Sequence, residues 1–372
     1  MRKYILITVV IVVAMGTVFI LATDNDDSEY SNQGPQETIV IGYMGPLSGP
    51  VSSTGIPAKN GFNLAYRDLR TDKPIRVLYE DAACDPKKAV AIAQKFLTID
   101  NVDYVVSGVC SSSTLAISPL TQERKKVLIS SVANSPDITY AGDYVFRVSA
   151  PSVGLAEATA KHLIAQGIVS VAVLTEENAY TVGWENAFFR AYTDLGGVIT
   201  IRNRFSLNEK DISSQLVKMK EAESLMFLSL SSTSANALLD AYRTLGLTQV
   251  LVGNEVFGFA SVLDSHAETL EGAYVATYNV DLQSGKIKNL ESKYNQTFSR
   301  PWSSAYLATL GYDTYAILRD GIQKCGKDSE CMKEFLYSIK DYEGMTGTFS
   351  IDENGDGVHG FVLKRVINGE LK

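Results

Sequence analysis

The chain contains few of the residues that most catalytic and metal sites require. Its 372 residues include only three histidines, His162, His266 and His359, which lie far apart and never at the spacing of metal ligands. It also lacks a Cys-x-x-Cys pair, a nucleophile elbow and a dinucleotide-binding fingerprint. We therefore expect a protein that binds a molecule rather than an enzyme, with no metal ion and no cofactor.

An excess of basic residues is absent as well. The formal net charge is −8, and no basic run or patch of basic and aromatic residues occurs, which argues against nucleic acid as a partner. The segment Gly321–Asp328 nearly matches a phosphate-binding loop but ends in Asp where Ser or Thr would bind magnesium. The segment Asp352–Gly357 resembles the start of an EF-hand, but Leu363 occupies its twelfth position, so a hairpin turn is expected instead.

The first residues are typical of an exported chain. Arg2 and Lys3 precede an uncharged run over residues 4–22, which predicts a signal peptide or an N-terminal membrane anchor over residues 1–23. No cysteine follows that would carry a lipoprotein anchor. Either alternative places the rest of the chain outside the cytoplasm, because the positive flank stays inside. The polar, acidic residues 24–37 are expected to form a disordered tether.

Cysteine content agrees with export. The four cysteines, Cys84, Cys110, Cys325 and Cys331, most simply form two disulfides in an oxidising compartment. Three pairings are possible. We favour Cys84 with Cys110 and Cys325 with Cys331, because each of these pairs falls within one structural unit.

Apolar segments of strand length alternate with amphipathic helical segments through most of the chain. This alternation runs from Thr38 to Val148 and restarts at Pro151, which predicts two α/β units with parallel sheets and helices on both faces. A helix is expected to begin near Pro57. The segments 347–351 and 357–366 are expected to form a hairpin that completes one of the two sheets.

One loop of the first unit has the composition of a ligand site. The segment Gly108–Thr114 is rich in hydroxyls and lies between the strand Val102–Val106 and the helix that follows. Ligands dock at the carboxyl ends of strands in such sheets, and the start of a helix favours an anion such as a carboxylate. An ordinary Ser/Thr helix cap is the alternative.

Three segments carry a family resemblance. Glu80–Ala91 and Cys110–Thr114 strongly resemble the periplasmic Leu/Ile/Val-binding protein family, the substrate-binding components of branched-chain amino acid ABC transporters, and Gly45–Pro50 is similar to the first loop of that family. The resemblance extends from Thr38 to the C-terminus. It implies a type I periplasmic-binding-protein fold, with two doubly wound parallel-sheet lobes joined by a three-strand hinge. The implied lobes are residues 38–151 plus 279–345, and residues 152–278 plus 346–372.

The resemblance also implies a ligand site in the cleft between the lobes. Ser111 matches the family serine that binds the ligand carboxylate. The loop from Val132 to Asn134 matches the segment that offers a carbonyl to the ligand ammonium and a hydroxyl to its carboxylate, with Asn134 where the family usually has Thr. Glu255 matches the acid that pairs with the ammonium, and Tyr180 matches an aromatic that covers the ligand.

Two positions depart from the family pattern. Ser231 stands where members that bind valine, leucine and isoleucine carry a Tyr, and Thr54 replaces an aromatic near the first loop. The loss of two aromatics implies a larger or more polar ligand side chain, or looser selectivity.

The expected function follows from these observations. We expect an extracytoplasmic amino acid-binding protein that delivers its ligand to the permease subunits of an ABC importer and contacts the membrane through its N-terminal segment. The alternatives are an amide, urea or short-peptide ligand, or a receptor module that senses its ligand and reports it to a membrane partner.

Overall fold

The structure is a computed structural model that describes residues 37–207, 209, 212–299 and 301–372. The predicted signal peptide or anchor over residues 1–23, and the predicted tether except for Glu37, lie outside the described residues. Within the described part of the chain, no helix is both long enough and apolar enough to cross a membrane.

Strands and helices alternate along most of the described chain. The strands are β1 (Ile39–Gly45), β2 (Ile75–Asp81), β3 (Tyr104–Ser107), β4 (Leu128–Ser130), β5 (Val145–Arg147), β6 (Ser170–Glu176), β7 (Val198–Phe205), β8 (Ser224–Leu228), β9 (Val250–Gly253), β10 (Tyr274–Tyr278), β11 (Tyr342–Gly344), β12 (Gly347–Ile351), β13 (Gly357–Val358), β14 (Phe361–Ile367) and β15 (Glu370–Leu371). The helices are α1 (Ser52–Asp68), α2 (Pro86–Thr98), α3 (Ser111–Glu123), α4 (Ser152–Ala165), α5 (Ala179–Asp194), α6 (Ile212–Lys218), α7 (Ser232–Thr244), α8 (Ala260–Leu270), α9 (Gly285–Phe298), α10 (Ala305–Cys325) and α11 (Ser329–Tyr337).

Two sheets form the cores of two lobes, which confirms the predicted fold class. The five-stranded sheet of the first lobe has the order β2-β1-β3-β4-β5, and all its neighbouring strands are parallel. The seven-stranded sheet of the second lobe has the order β15-β14-β10-β9-β8-β6-β7. Its strands β6 to β10 are parallel, while β14 runs antiparallel to β10 at one edge. Strands β1, β3, β4 and β8 are buried along their whole length, as expected where helices cover both faces.

The predicted C-terminal hairpin differs from the observed one. Strands β12 and β13 do pair across a turn at residues 352–356, but with β11 they form a separate three-stranded antiparallel sheet. The prediction that this hairpin completes one of the two large sheets is therefore wrong for β12 and β13 and is confirmed only for residues 361–366, which belong to β14. The turn is held instead at the end of β5, where Asp356 pairs with Arg147 and the chain at Gly357 lies against the carbonyl of Val148. Strand β14 then joins the second sheet. The residue boundaries of the two lobes remain a prediction.

Helix α1 begins earlier than predicted. It starts at Ser52 and contains Pro57 in its second turn, so the prediction of a start near Pro57 is wrong. Proline has no N–H and leaves the carbonyl four residues earlier without a helical partner. Here that carbonyl belongs to Ser53, and the hydroxyl of Ser303 donates to it at 3.0 Å. A tertiary hydrogen bond thus compensates for the internal proline.

Helices α1 and α10 approach so closely that only glycine fits between them. A Cβ at Gly61 would lie 1.8 Å from the carbonyl oxygen of Ala308, and one at Gly311 would lie 1.9 Å from that of Ala58. This contact fixes the start of α10 against the first lobe. It thereby fixes Leu307, which faces the cleft.

The cysteines pair as we favoured from the sequence. Cys84 is joined to Cys110 and Cys325 to Cys331. The first disulfide ties the loop after β2 to the residue that precedes α3, next to Ser111. The second ties the end of α10 to α11.

Candidate functional site

A small cavity lies between the lobes, where the carboxyl ends of strands from both sheets face each other. Four of the six predicted ligand-binding residues line it, namely Val132, Asn134, Tyr180 and Glu255, and Thr54 lines it as well. Its volume is about 20 Å³, which is room for about one water molecule. The cleft is therefore closed in this structure.

Contacts between the lobes account for the closure. The N–H of Ser232 at the start of α7 donates to the hydroxyl of Ser53 in α1 at 3.4 Å, and the N–H of Ala260 donates to the carbonyl of Ser303 at 3.2 Å. Beside them, the hydroxyl of Thr233 donates to the carbonyl of Pro50 at 3.3 Å. These three contacts are hydrogen bonds between polar groups of the two lobes.

The loop after β4 supplies the first-lobe side of the cavity. Asn134 is buried, and its amide donates to the hydroxyl of Tyr278 at 2.9 Å. The carbonyls of Ala133 and Asn134 accept hydrogen bonds from Ser149 and Ser152. Among the described residues, no hydrogen bond reaches the carbonyl of Val132. That carbonyl is consequently the one in this loop that can accept a hydrogen bond from a ligand ammonium.

Ser111 lies beside the cavity rather than on its wall. It is the first residue of α3, it is buried, and its hydroxyl accepts a hydrogen bond from the N–H of Ser135 at 3.1 Å. Val109, two residues earlier, does line the cavity. The N–H groups of the first turn of α3, which have no partner within the helix, therefore start at the cavity edge. Ser111 holds the Asn134 loop and remains a predicted carboxylate donor.

A buried ion pair supports this loop from behind. Arg147 is fully buried, and its guanidinium contacts Asp356 at 2.5 Å, the carbonyl of Ser135 at 2.7 Å and the hydroxyl of Thr139 at 2.7 Å. Thr139 in turn donates to Asp356 at 2.7 Å. Every partner in this network is satisfied, so it rigidifies the residues around Ser135. No local sequence pattern indicated this pair, since Arg147 and Asp356 are 209 positions apart.

Glu255 and Tyr180 form the second-lobe side. Glu255 follows β9, and its carboxylate accepts a hydrogen bond from the hydroxyl of Tyr180 at 2.6 Å. Asn254 donates to the same hydroxyl at 3.1 Å and to the carbonyl of Ser229 at 2.7 Å. Tyr180 is placed by Asn178, whose side chain caps the start of α5. The sequence predicted both residues to contact the ligand from separate loops, and the structure places their side chains in direct contact.

The electrostatic state of Glu255 is the unusual property of the site. The side chain is 8% exposed, and among the described residues no lysine or arginine forms an ion pair with it. Burial raises the pKa of Glu255 from 4.5 to about 7, and the hydrogen bond from Tyr180 opposes that rise without cancelling it. The pKa of the Tyr180 hydroxyl is also raised, by its burial first and by the charge of Glu255 second.

Two tyrosines that the sequence analysis missed complete the surroundings. Tyr278 ends β10, accepts the hydrogen bond from Asn134 and donates to the carbonyl of Ala150 at 3.2 Å. Its ring stacks on Tyr306 at the start of α10, with 4.5 Å between centroids. The available signal was the position of Tyr278 at the carboxyl end of a strand, where ligand-binding side chains collect.

Ser231 does not line the cavity. It is buried as the N-cap of α7, where its hydroxyl accepts a hydrogen bond from the N–H of Ser234 at 3.3 Å. The neighbouring Leu230 contributes to the cavity wall instead. Ser231 as a ligand-binding residue therefore remains a prediction that the geometry of the closed cleft does not favour.

Comparison with known proteins places the whole described region in one family. A family model described as periplasmic binding protein matches residues 38–370. A Leu-, Ile-, Val-, Thr- and Ala-binding protein from Pseudomonas aeruginosa is 27% identical over 334 residues, covering 86% of this chain and 87% of that protein.

Solved structures show the same fold. A leucine-binding protein, LivK, from Thermotoga maritima superimposes with a TM-score of 0.82 at 24% identity, covering 90% of this chain and 97% of its own. A solute-binding protein of an ABC transporter from R. palustris, solved in complex with benzoate, superimposes with a TM-score of 0.81 at 18% identity, covering 90% and 95%.

Proposed function

Because the chain belongs to the periplasmic binding protein family, we propose that it is the substrate-binding component of an ABC importer and binds an α-amino acid between its lobes. The curated relative from Pseudomonas aeruginosa, which carries amino acids in its name, supports this choice of ligand. The observation that carries the proposal is the buried carboxylate of Glu255, which has no cation among the described residues.

An α-amino acid supplies a positive charge to the second-lobe side of the cleft and a hydrogen-bond acceptor to the first-lobe side. Its ammonium pairs with Glu255 and with the free carbonyl of Val132. Its carboxylate accepts hydrogen bonds from Ser111, the first turn of α3 and Asn134. A ligand with only one of these two groups would leave a buried partner unsatisfied, which costs about 1–3 kcal/mol or more for a charge. The site therefore favours a zwitterion over a simple amine or acid.

Ligand binding and closure are coupled in this arrangement. The donors for the carboxylate come from the first lobe, and Glu255 and Tyr180 come from the second. A ligand that touches both sets binds the closed form more tightly than the open form and shifts the population toward closure. The contacts of Ser53 with Ser232 and of Ala260 with Ser303 then lock the lobes.

The partners follow from this role. A binding protein of an importer delivers its ligand to permease subunits in the membrane, and its binding domain lies outside the cytoplasm. The N-terminal apolar segment would export the domain or hold it at the membrane. A ligand-sensing role would use the same cleft but a different membrane partner, which copurification from native membranes would identify.

The test is isothermal titration calorimetry of the full-length protein against the twenty amino acids. We expect at least one to bind with micromolar affinity or better, and Glu255→Gln to weaken that affinity by about 100-fold because the ammonium loses its counter-charge. Glu185→Gln is the matched control. Glu185 is also buried in the second lobe, but it pairs with Arg202 and Arg204 and does not line the cavity, so its substitution should leave affinity within about twofold.

An aromatic carboxylate is the second candidate, because the similarly folded R. palustris protein was solved with benzoate. Benzoate has no ammonium, so it would leave Glu255 buried without a partner. Binding of benzoate that is tighter than that of any amino acid, and that is unchanged or improved in Glu255→Gln, would replace our proposal with this one. Urea and a short amide in the same screen test the remaining neutral ligands.

A further inference from the structure

A larger cavity adjoins the small one. It has a volume of about 280 Å³ and lies between the start of α8 in the second lobe and the segment from α9 to the start of α10. Glu255 and Phe259 line both cavities, so they form the wall that the two share. This second compartment is defined here by Glu255, Phe259, Ile287, Trp302 and Tyr306.

The relative volumes identify which cavity can hold most of a ligand. Small-molecule sites typically occupy about 300–1,000 Å³. The small cavity, at about 20 Å³, is far below that range, whereas the second compartment lies close to its lower limit. The small cavity must widen to admit the ammonium and carboxylate of an amino acid, whereas the space on the other side of Glu255 is already large enough for a side chain.

The residues that line the second compartment determine which chemical groups can bind in it. Phe259, Trp302 and Tyr306 give it three aromatic walls, each less than a tenth exposed, and Ile287 adds a buried aliphatic one. Its charged lining residues are Glu255 at the inner end and Glu291, and no lysine or arginine is among those described. Such walls favour an apolar ring, and the two carboxylates disfavour an anion.

We propose that the second compartment receives the side chain of the bound amino acid and that it selects an aromatic one. The ammonium stays on Glu255, at the junction of the two cavities, and the ring extends from there between Phe259, Trp302 and Tyr306. This inference rests on the proposed function, since it takes the amino acid as the ligand. It goes beyond that function by assigning the side-chain site to residues around α8, α9 and α10.

The experiment compares phenylalanine with alanine by calorimetry, using the full-length protein. The wild type should bind phenylalanine about 10- to 100-fold more tightly, because the ring is removed from water. Ala305→Phe fills the compartment from the first residue of α10 and should weaken phenylalanine binding about tenfold or more while leaving alanine within about twofold. Val217→Phe, which adds the same side chain at an exposed position of α6 outside both cavities, is the size-matched control and should change neither.

A second variant protects the test against misfolding. Leu282 lines the compartment and is 41% exposed, so Leu282→Trp can narrow the cavity from its rim without disturbing the core. It should reduce the preference for phenylalanine in the same direction as Ala305→Phe. Equal binding of the two amino acids by the wild type, or equal losses for both ligands in the two filling variants, would overturn the compartment alone. Failure of the wild type to bind any amino acid would overturn the proposed function and the compartment with it.

Discussion

Two buried acids near the cleft, Asp356 and Glu255, have opposite surroundings. Asp356 is 2% exposed and lies against the guanidinium of Arg147, with Thr139 as a second donor. Glu255 is 8% exposed, and its carboxylate accepts a hydrogen bond from the neutral hydroxyl of Tyr180. Within the described part of the chain, the fold thus supplies a cation for Asp356 and none for Glu255.

The presence or absence of a cation distinguishes the pair of Arg147 and Asp356, which supports the fold, from Glu255, which can pair with a ligand. The pair of Arg147 and Asp356 is complete without a ligand, and it fixes the carbonyl of Ser135 and so the loop that carries Asn134. Glu255 is incomplete in the ligand-free chain, because ionising a buried carboxyl without a cation is unfavourable. A positively charged ligand pairs with the carboxylate of Glu255. It thereby removes the cost of burying that charge unpaired, and this gain contributes to the free energy of binding.

The largest effect should come from removing the cation that the fold does supply. Arg147→Met would leave Asp356 buried without its partner and should lower the free energy of unfolding by about 3–5 kcal/mol. Urea denaturation monitored by circular dichroism measures this loss. The double variant Arg147→Met/Asp356→Leu should recover most of it, since an apolar pair can replace a buried ion pair. A loss of less than about 1 kcal/mol in the single variant would show that the ion pair does not support the fold.

In the absence of ligand, substitution of Glu255 is expected to raise the free energy of unfolding, whereas substitution of Arg147 lowers it. Its pKa is raised from 4.5 to about 7, so the folded state holds the proton more tightly than the unfolded state. The contribution of this group to stability is therefore full below pH 4.5 and is lost as pH rises through about 7. Glu255→Gln should stabilise the free protein by at most about 3 kcal/mol at pH 8 and by little at pH 5.

Asp356→Asn is the control for that measurement, because it removes a charge that has a cation. It should destabilise the protein at pH 8, where Glu255→Gln stabilises it, when both are compared by thermal unfolding. Shifts of the same sign in both variants would contradict the distinction between the two acids.

The two parallel sheets and the helices around them were predicted better from the sequence than the arrangement of the C-terminal strands. The two parallel sheets follow from alternating apolar strands and amphipathic helices, and loops at strand ends led to Asn134, Tyr180 and Glu255. These features depend on local patterns and on sheet geometry, which one chain displays. The separate sheet of β11, β12 and β13 was missed, because its position depends on the contact of Asp356 with Arg147 across the fold.

Tyr306 was missed for the same reason, because it lies in the first turn of α10, where no strand–loop–helix pattern marks it. Tyr278 did have a local signal, namely its position at the carboxyl end of β10. Ser231 was assigned to the pocket from its alignment with a family tyrosine. Its hydroxyl instead accepts a hydrogen bond from the N–H of Ser234 and caps α7. Serine in place of the family tyrosine therefore changes the local role of this position as well as the pocket.

A smaller effect should appear in the pH dependence of ligand affinity. An amino acid ammonium binds the ionised form of Glu255, so below pH 7 binding must release the proton from that carboxyl. The affinity should rise between pH 5 and pH 7, by at most about tenfold per pH unit, and level off near pH 8. Calorimetry in buffers of different ionisation enthalpy would also detect the released proton. An affinity that does not vary over this range in the wild type would show that Glu255 does not meet the ammonium, and Glu255→Gln should give that flat profile.

The smallest effect distinguishes a helix-capping residue of the second lobe, Ser231, from a cavity-lining residue of the first lobe, Thr54. Ser231→Ala removes the cap of α7 and should cost about 1 kcal/mol of stability with no more than a twofold change in ligand affinity. Thr54→Ala is the comparison in the first lobe, because Thr54 lines the cavity and its hydroxyl donates to the carbonyl of Val51, the residue before α1. It should change affinity more than stability. If Ser231→Ala changes affinity as strongly as Thr54→Ala, the position of Ser231 in the ligand-bound cleft differs from its position here, and the family alignment assigned it correctly.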